Sequence, residues 1–408
     1  MKLFRFIPAL AAVALVSLTS CGGDDNDEID EPVVPGSSVE QQKQFVAETA
    51  SELMSKFNAE EQREVIELLN YIDRTYGYLS LPGENDEEDY YPYNKIGRSN
   101  EVIDIATGYS EYTGIYEPSA TEWVKVADSN DLIFRVNDAV YNRIEMTVTR
   151  SGSNTANVYD PECGDSYEVI VPKTVSATLT AGGKTMFSQN LSTTFSQSAG
   201  TLTATETTKA ANLEIVSTVN GNNSSASTTT TLKVNGEQII SANGTLNGRN
   251  LCDPDAITDA LWNETFEQLL SGCNVSGNVL NRMNVNGSIN FSRNFFQYVD
   301  SYYDYGEYYD MTRAEAAAAC NTAVTALNNA FNVWLGFNNT AEKQATVEFV
   351  SYCDDYGWDG HEAGYYTPVA TIKFADGTTY TDELLNTGFD SVLNQWENLI
   401  NSYLNLWN

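Results

Sequence analysis

Two stretches of this chain concentrate side chains able to do chemistry. The first is Asp354-Asp355-Tyr356-Gly357-Trp358-Asp359-Gly360-His361-Glu362, which holds four carboxylates and the only histidine of the protein. Calcium takes six to eight hard oxygen ligands, and Asp354, Asp355, Asp359 and Glu362 supply such oxygens at short spacing. The order departs from the EF-hand loop, because its Asp-x-Asp-x-Asp-Gly run is absent. Aspartate and glycine are also the commonest turn residues, so the same stretch reads as a plain hairpin loop. Two further readings stay open: His361 with Asp359 as a general acid–base pair, and Trp358 with His361 as ligand contacts.

The second stretch begins at Tyr298. Tyr302, Tyr303, Tyr305 and Tyr308 alternate with Asp300, Asp304, Glu307 and Asp310. Tyrosine has an apolar face and a polar tip, which suits binding surfaces. Carboxylates between such rings accept hydrogen bonds from sugar hydroxyls. The competing reading is a tyrosine-rich segment that fills the edge of a core. Residues 84–93 repeat the acidic-plus-tyrosine theme more weakly.

Other constellations fail. A single histidine excludes multi-histidine metal sites and leaves His361 as the only imidazole for a nucleophilic triad. Gly183-Lys184-Thr185 ends like a phosphate-binding loop, but Thr178 stands where that motif needs glycine. No Gly-x-Ser-x-Gly elbow occurs, and no Cys-x-x-Cys spacing suggests zinc. A carboxylate pair for glycoside hydrolysis cannot be singled out among 56 Asp+Glu. The expectation is a chain without catalysis or a resident cofactor, calcium being the one cation considered. With only 22 Lys+Arg against those acids and a net charge of −34, binding by phosphate neutralisation is excluded. Electrostatic attraction to anionic lipid is disfavoured on the same ground.

The N-terminus reads as an address. Lys2 and Arg5 precede an apolar run, Ile7 to Leu18, that is too short to span a membrane. It ends at Leu18-Thr19-Ser20-Cys21, followed by Gly22-Gly23-Asp24-Asp25-Asn26-Asp27-Glu28-Ile29-Asp30-Glu31. The first segment resembles a bacterial lipoprotein cleavage site, with Cys21 as the lipidated residue. The second resembles the acidic export signal of surface lipoproteins of the Bacteroidota. The resemblance implies a signal peptide over 1–20, a flexible tether over 21–39, and lipid anchoring at the outer surface of the outer membrane. It covers about residues 1–31 and implies nothing about the rest. An acidic solvated tether alone would have the same composition.

The elements that must hold the two chemical stretches follow from periodicity. Residues 40–76 read as two helices: Phe45, Thr49, Leu53 and Phe57 share one face, then Asn58 caps a second helix, with Glu61 completing a capping box. Residues 84–100 read as a loop. From 101 to 251 the period is that of strands, with a loop near 151–165 and hairpin turns at Gly182-Gly183 and Asn235-Gly236. Over 252–408 the types mix. Asp253 and Pro254 start a helix whose apolar period runs to Leu270. An irregular Asn/Gly-rich stretch covers 274–294. Thr312 and Glu315 cap a helix whose stripe includes Val324, Leu327, Phe331 and Trp334. Strands at 346–353 and 368–374 flank the acidic loop, with an Asp376-Gly377 turn after the second. A helix from Leu385 to Trp407 closes the chain. A continuous 255–270 helix would hold Cys252 and Cys273 about 20 Å apart, too far to bridge.

The fold expected is α+β: a curved antiparallel meander (barrel, half-barrel or sandwich), covered by N- and C-terminal helices, in one body over 40–408. The function expected is a surface-exposed outer-membrane lipoprotein that binds glycans or other nutrients. The alternative is an envelope scaffold or lipid carrier. Partners are then the membrane, through the anchor, and a glycan, with no nucleic acid.

Overall fold

The computed structural model describes residues 38–79, 98–99, 102–104, 113–160, 165–263, 265–292, 295, 312–337, 342–354, 365–379, 398–399 and 401–402. They fall into two compact units. The first draws on the ranges Met1–Phe57, Ile239–Gly248 and Phe266–Ile400, and the second on Asn58–Gln238, Arg249–Thr265 and Asn401–Asn408. The class is α+β, with four helices and seventeen strands among the described residues. The signal segment, residues 21–37 of the expected tether and nearly all of the expected C-terminal helix lie outside those residues, and Val39, expected in the tether, already opens the first helix.

The first two helices match the expected pair. Helix α1 spans Val39–Ser55 in the first unit, with Ser38 as N-cap. Helix α2 spans Ala59–Tyr76 in the second unit. Its cap is simpler than the capping box expected. Asn58 Oδ1 accepts from the Glu60 N–H at 3.1 Å, while the Glu61 carboxylate turns away to accept from Asn212 and Asn235.

The second unit is a mixed sheet. Its strands are β1 (Arg98–Ser99), β2 (Val102–Asp104), β3 (Gly114–Pro118), β4 (Trp123–Ala127), β5 (Leu132–Asp138), β6 (Asn142–Asp160), β7 (Asp165–Ala181), β8 (Lys184–Ser196), β9 (Thr201–Ala210), β10 (Leu213–Asn222) and β11 (Ser225–Val234). From β5 to β11 each strand pairs antiparallel with the next. The purely antiparallel expectation needs correction, because β3 runs parallel to β5 and β2 parallel to β7. Among the described strands β4 does not pair with β11, and the sheet of this unit does not close into a barrel.

The loop expected near 151–165 is mostly strand. Ser153 to Asp160 pair with Asp165 to Pro172, and only residues 161–164 fall outside the described set. Small polar residues suggested a loop there, but tertiary pairing overrides local propensity. Gly152, at φ +64°, lies between the two paired runs of β6. The Gly182-Gly183 turn has both residues at positive φ, as a tight hairpin needs.

Helix α2 lays Val65 and Leu68 on Val136, Ile144, Leu179 and Met186, which form the core of this unit. A polar hub sits at its edge. Asp138 is buried and accepts from the Tyr71 hydroxyl at 2.6 Å, the Tyr76 hydroxyl at 2.9 Å, and the N–H groups of Val140 and Tyr141 at 2.7 and 2.8 Å. Helix α3 (Pro254–Trp262) starts as expected, with Asp253 as cap and Pro254 in the first turn. It stops at Trp262, eight residues before the apolar period ends at Leu270. A short 3₁₀ turn follows at Phe266–Gln268. Cys252 and Cys273 are both buried free thiols.

The first unit is an antiparallel meander. Its strands are β12 (Glu237–Gly248, of which Ile239 onward belongs here), β13 (Leu270–Val279), β14 (Met283–Asn290), β15 (Phe331–Phe337), β16 (Ala345–Asp354) and β17 (Tyr365–Phe374). They pair in chain order. The stretch expected to be irregular at 274–294 is instead mostly the β13–β14 hairpin. Its turn is Leu280-Asn281, both at positive φ, and the Asn278 side chain accepts from the Asn281 N–H at 2.7 Å. Asparagine and glycine masked the alternation of Val275, Val279, Met283, Val285 and Ile289.

Helix α4 (Arg313–Ala330) has the full Thr312/Glu315 capping box expected. It ends before Phe331, and Phe331 and Trp334 belong to β15, not to its stripe. Phe331-Asn-Val-Trp-Leu-Gly-Phe337 is rich in β-formers and pairs with Met283 to Ile289. Helix α1 docks on this unit through Phe45, whose ring lies 5.7 Å from that of Phe337. Arg282 sits 4.8 Å over the Phe45 ring and ion-pairs with Glu48 and Glu52.

Candidate functional site

The described residues of the first unit line an open cleft of about 400 Å³. That is within the range of small-ligand sites. Helix α4 forms one wall. Its inner face, Ala316, Cys320, Ala323 and Leu327, is buried. Residues at i, i+3 and i+7 on the other side, Thr322, Thr325 and Asn329, line the cleft with Ala326 and Ala330. The opposite wall is the end of β14 and the segment beyond it: Asn290, Ser292 and Phe295.

Several contacts fix this geometry. Asn328 Nδ2 donates to the Phe349 carbonyl at 2.8 Å, and its Oδ1 accepts from the Phe349 N–H at 2.7 Å. That bidentate pair satisfies the edge of β16 where its pairing with β15 has ended at Val347. Ser351 Oγ donates to the buried Cys320 Sγ at 3.1 Å. On the facing wall the Phe291 and Phe295 rings meet at a tilt of 41° with centroids 5.2 Å apart, and Ser292 Oγ accepts from the Phe295 N–H at 3.2 Å.

Among the described residues the lining is uncharged. Thr322 Oγ1 donates to the Ala318 carbonyl at 2.9 Å and Thr325 Oγ1 to the Asn321 carbonyl at 2.8 Å. Both hydroxyls therefore face the cleft as acceptors. The Asn290 and Asn329 amides have no partner among the described residues, and each offers two donors and an acceptor. An aromatic ring, two amides and a row of hydroxyls suit a neutral, hydroxyl-bearing ligand.

The chain matches no known family model, no curated protein and no solved structure. The site is therefore read from its own chemistry.

Of the residues singled out from sequence, Asp354 ends β16 opposite Tyr365. The flanking strands of the acidic loop run 345–354 and 365–374, close to the expected bounds. Asp355, Trp358, Asp359, His361 and Glu362 lie outside the described residues, as do Tyr302, Tyr303, Tyr305, Tyr308 and Cys21. Among the described residues no group of three His, Cys, Asp or Glu is placed to hold a metal ion.

Periodicity did not point to the cleft residues. One signal was available: after Glu315, helix α4 carries no charged residue to its end at Ala330. In a chain with 56 Asp+Glu, a helix whose exposed polar residues after Glu315 are only Asn and Thr stands apart.

Proposed function

We propose that this chain is a non-catalytic, glycan-binding lipoprotein anchored through Cys21 at the outer surface of the outer membrane. The observation that carries the binding part is the cleft between Phe295 and helix α4, whose described lining is uncharged and includes the amides of Asn290 and Asn329, without a partner among the described residues. The tyrosine cluster that begins at Tyr298 follows Phe295 by three residues in sequence. The strands form a curved scaffold, and the terminal helices cover it. The anchoring part rests on the apolar run before Cys21 and the acidic residues after it.

Screening the full chain on an array of neutral and charged glycans tests the binding reading. One class of neutral saccharide should bind, and Phe295→Ala or Asn329→Ala should weaken it at least tenfold. Each variant removes about 1.4 kcal/mol or more of contact energy. A blank array, or full binding by both variants, overturns the reading. For the anchor, radiolabelled palmitate should enter the wild-type chain and not Cys21→Ser when each is expressed in a Gram-negative host.

A further inference from the structure

The second unit carries a different kind of surface. Strand register aligns hydroxyl side chains into rows across six successive strands. Ser151, Thr174, Ser192, Thr205, Thr218 and Thr229 stand opposite one another from β6 to β11. Thr149, Ser176, Asn190, Thr207, Val216 and Thr231 form the next row. Thr194, Thr203, Asn220 and Ser227 begin a third. Side chains two residues apart lie on one face of a strand, so all three rows share a face. Two contacts support this: Ser151 Oγ lies 2.7 Å from Thr174 Oγ1, and Ser176 Oγ donates to Asn190 Oδ1 at 2.6 Å.

The rows repeat at about 4.8 Å across the strands and about 6.8 Å along them. They contain no charge. A charged row borders them, where Glu214 ion-pairs with Lys209 at 2.7 Å and Lys233 at 2.8 Å. The face is open: Ser151, Thr174, Asn190, Ser192, Thr194 and Thr203 are exposed. The hydroxyls of Thr203, Thr205 and Thr218 have no partner among the described residues. Each threonine presents a methyl beside a hydroxyl, which is the pattern of a pyranose ring with its C–H and O–H groups.

We infer that this hydroxyl face is a second, extended binding surface, and that its occupant is a neutral polysaccharide chain. The argument from charge selects the occupant. A net charge of −34 repels anionic polymers from the whole molecule, and the rows offer no carboxylate to a cationic one. A neutral polymer meets a face that replaces its water with hydroxyls of matching type. Each contact is weak, and the repeat makes them additive along one chain, so a polymer binds where a short oligosaccharide does not. This inference rests on the glycan-binding reading but on none of the cleft residues.

The test is retention of the full chain on insoluble neutral polysaccharides, amorphous cellulose and starch granules, beside binding of soluble oligosaccharides. Threonine-to-valine changes keep shape and strand preference while removing the hydroxyl. The triple variant Thr203→Val, Thr205→Val, Thr218→Val should lose at least tenfold in retention on whichever polymer holds the wild type. The opposite-face variant Thr208→Val, Thr230→Val should be retained like the wild type. Soluble-oligosaccharide binding should be unchanged in both, and circular dichroism should show the same strand content. Full retention of the triple variant overturns the inference, as does equal loss in both variants. No retention of the wild type on either polymer overturns it too, and the cleft reading then stands or falls on the soluble arm alone.

Discussion

Asp138 shows how one side chain holds a helix to a sheet. Burial alone would raise its pKa, but hydrogen bonds from Tyr71, from the Tyr141 and Val140 N–H groups and from Tyr76 outweigh it and hold the carboxyl below its ordinary value. The same contact, after burial, raises the Tyr76 hydroxyl. A carboxyl lowered on folding contributes stability that is complete above its unfolded pKa and is lost as pH falls through the folded one. Urea unfolding should therefore show stability falling as the pH drops below about 4, and less steeply in Asp138→Asn. Asp138→Ala should cost about 3 kcal/mol at neutral pH, because it strands two hydroxyls and two amides. A second prediction concerns Ala211, which turns between β9 and β10 at φ +50°. A side chain disfavours that conformation by about 1 kcal/mol, so Ala211→Gly should stabilise the chain by about that amount. The thiols give a third. Cys320 is fully buried, and burial pushes the Cys273 thiol up to about 11. Mass-resolved alkylation at neutral pH should spare both until the protein is unfolded.

At the scale of elements, caps and turns were the most legible features. The Thr312/Glu315 box, the Asp253-Pro254 start and the Gly182-Gly183 turn depend on a few adjacent residues, and short-range geometry decides them. Ends of elements were less legible. The apolar period running to Leu270 and the stripe through Phe331 and Trp334 each crossed from helix into strand, because a buried strand and a buried helix face both read as apolar residues. Helix α1 illustrates the tertiary side. Its contact with Arg282, which lies in the β13–β14 turn, joins residues more than two hundred positions apart. Arg282→Ala should cost about 2 kcal/mol by removing the stacking on Phe45 and leaving Glu48 and Glu52 unpaired. Hydrogen exchange over residues 43–54 should quicken in that variant, and unchanged protection there would show that other contacts hold the helix. Gly287 makes the converse point within a strand. A Cβ there would lie 2.3 Å from the Asn332 carbonyl, so Gly287→Ala forces β14 and β15 apart.

For the whole molecule the net charge of −34 dominates. Like charges destabilise a compact state, and salt screens them over a Debye length that falls to about 4 Å near 0.5 M. The melting temperature should rise by several degrees between low salt and about 0.5 M sodium chloride, and a flat profile would mean that local ion pairs already offset the repulsion. Composition, charge, the single histidine and the α+β class could all be read from the sequence, because each is a count or a local pattern. The cleft at α4 and the hydroxyl rows could not. Asn290, Phe295 and Asn329 meet only because β14 and α4 pack in one unit. Thr205 and Thr218 align only because antiparallel register places them opposite each other. Residue type is written along one dimension, whereas a binding surface depends on which residues distant along the chain become neighbours, and pairing and packing alone decide that.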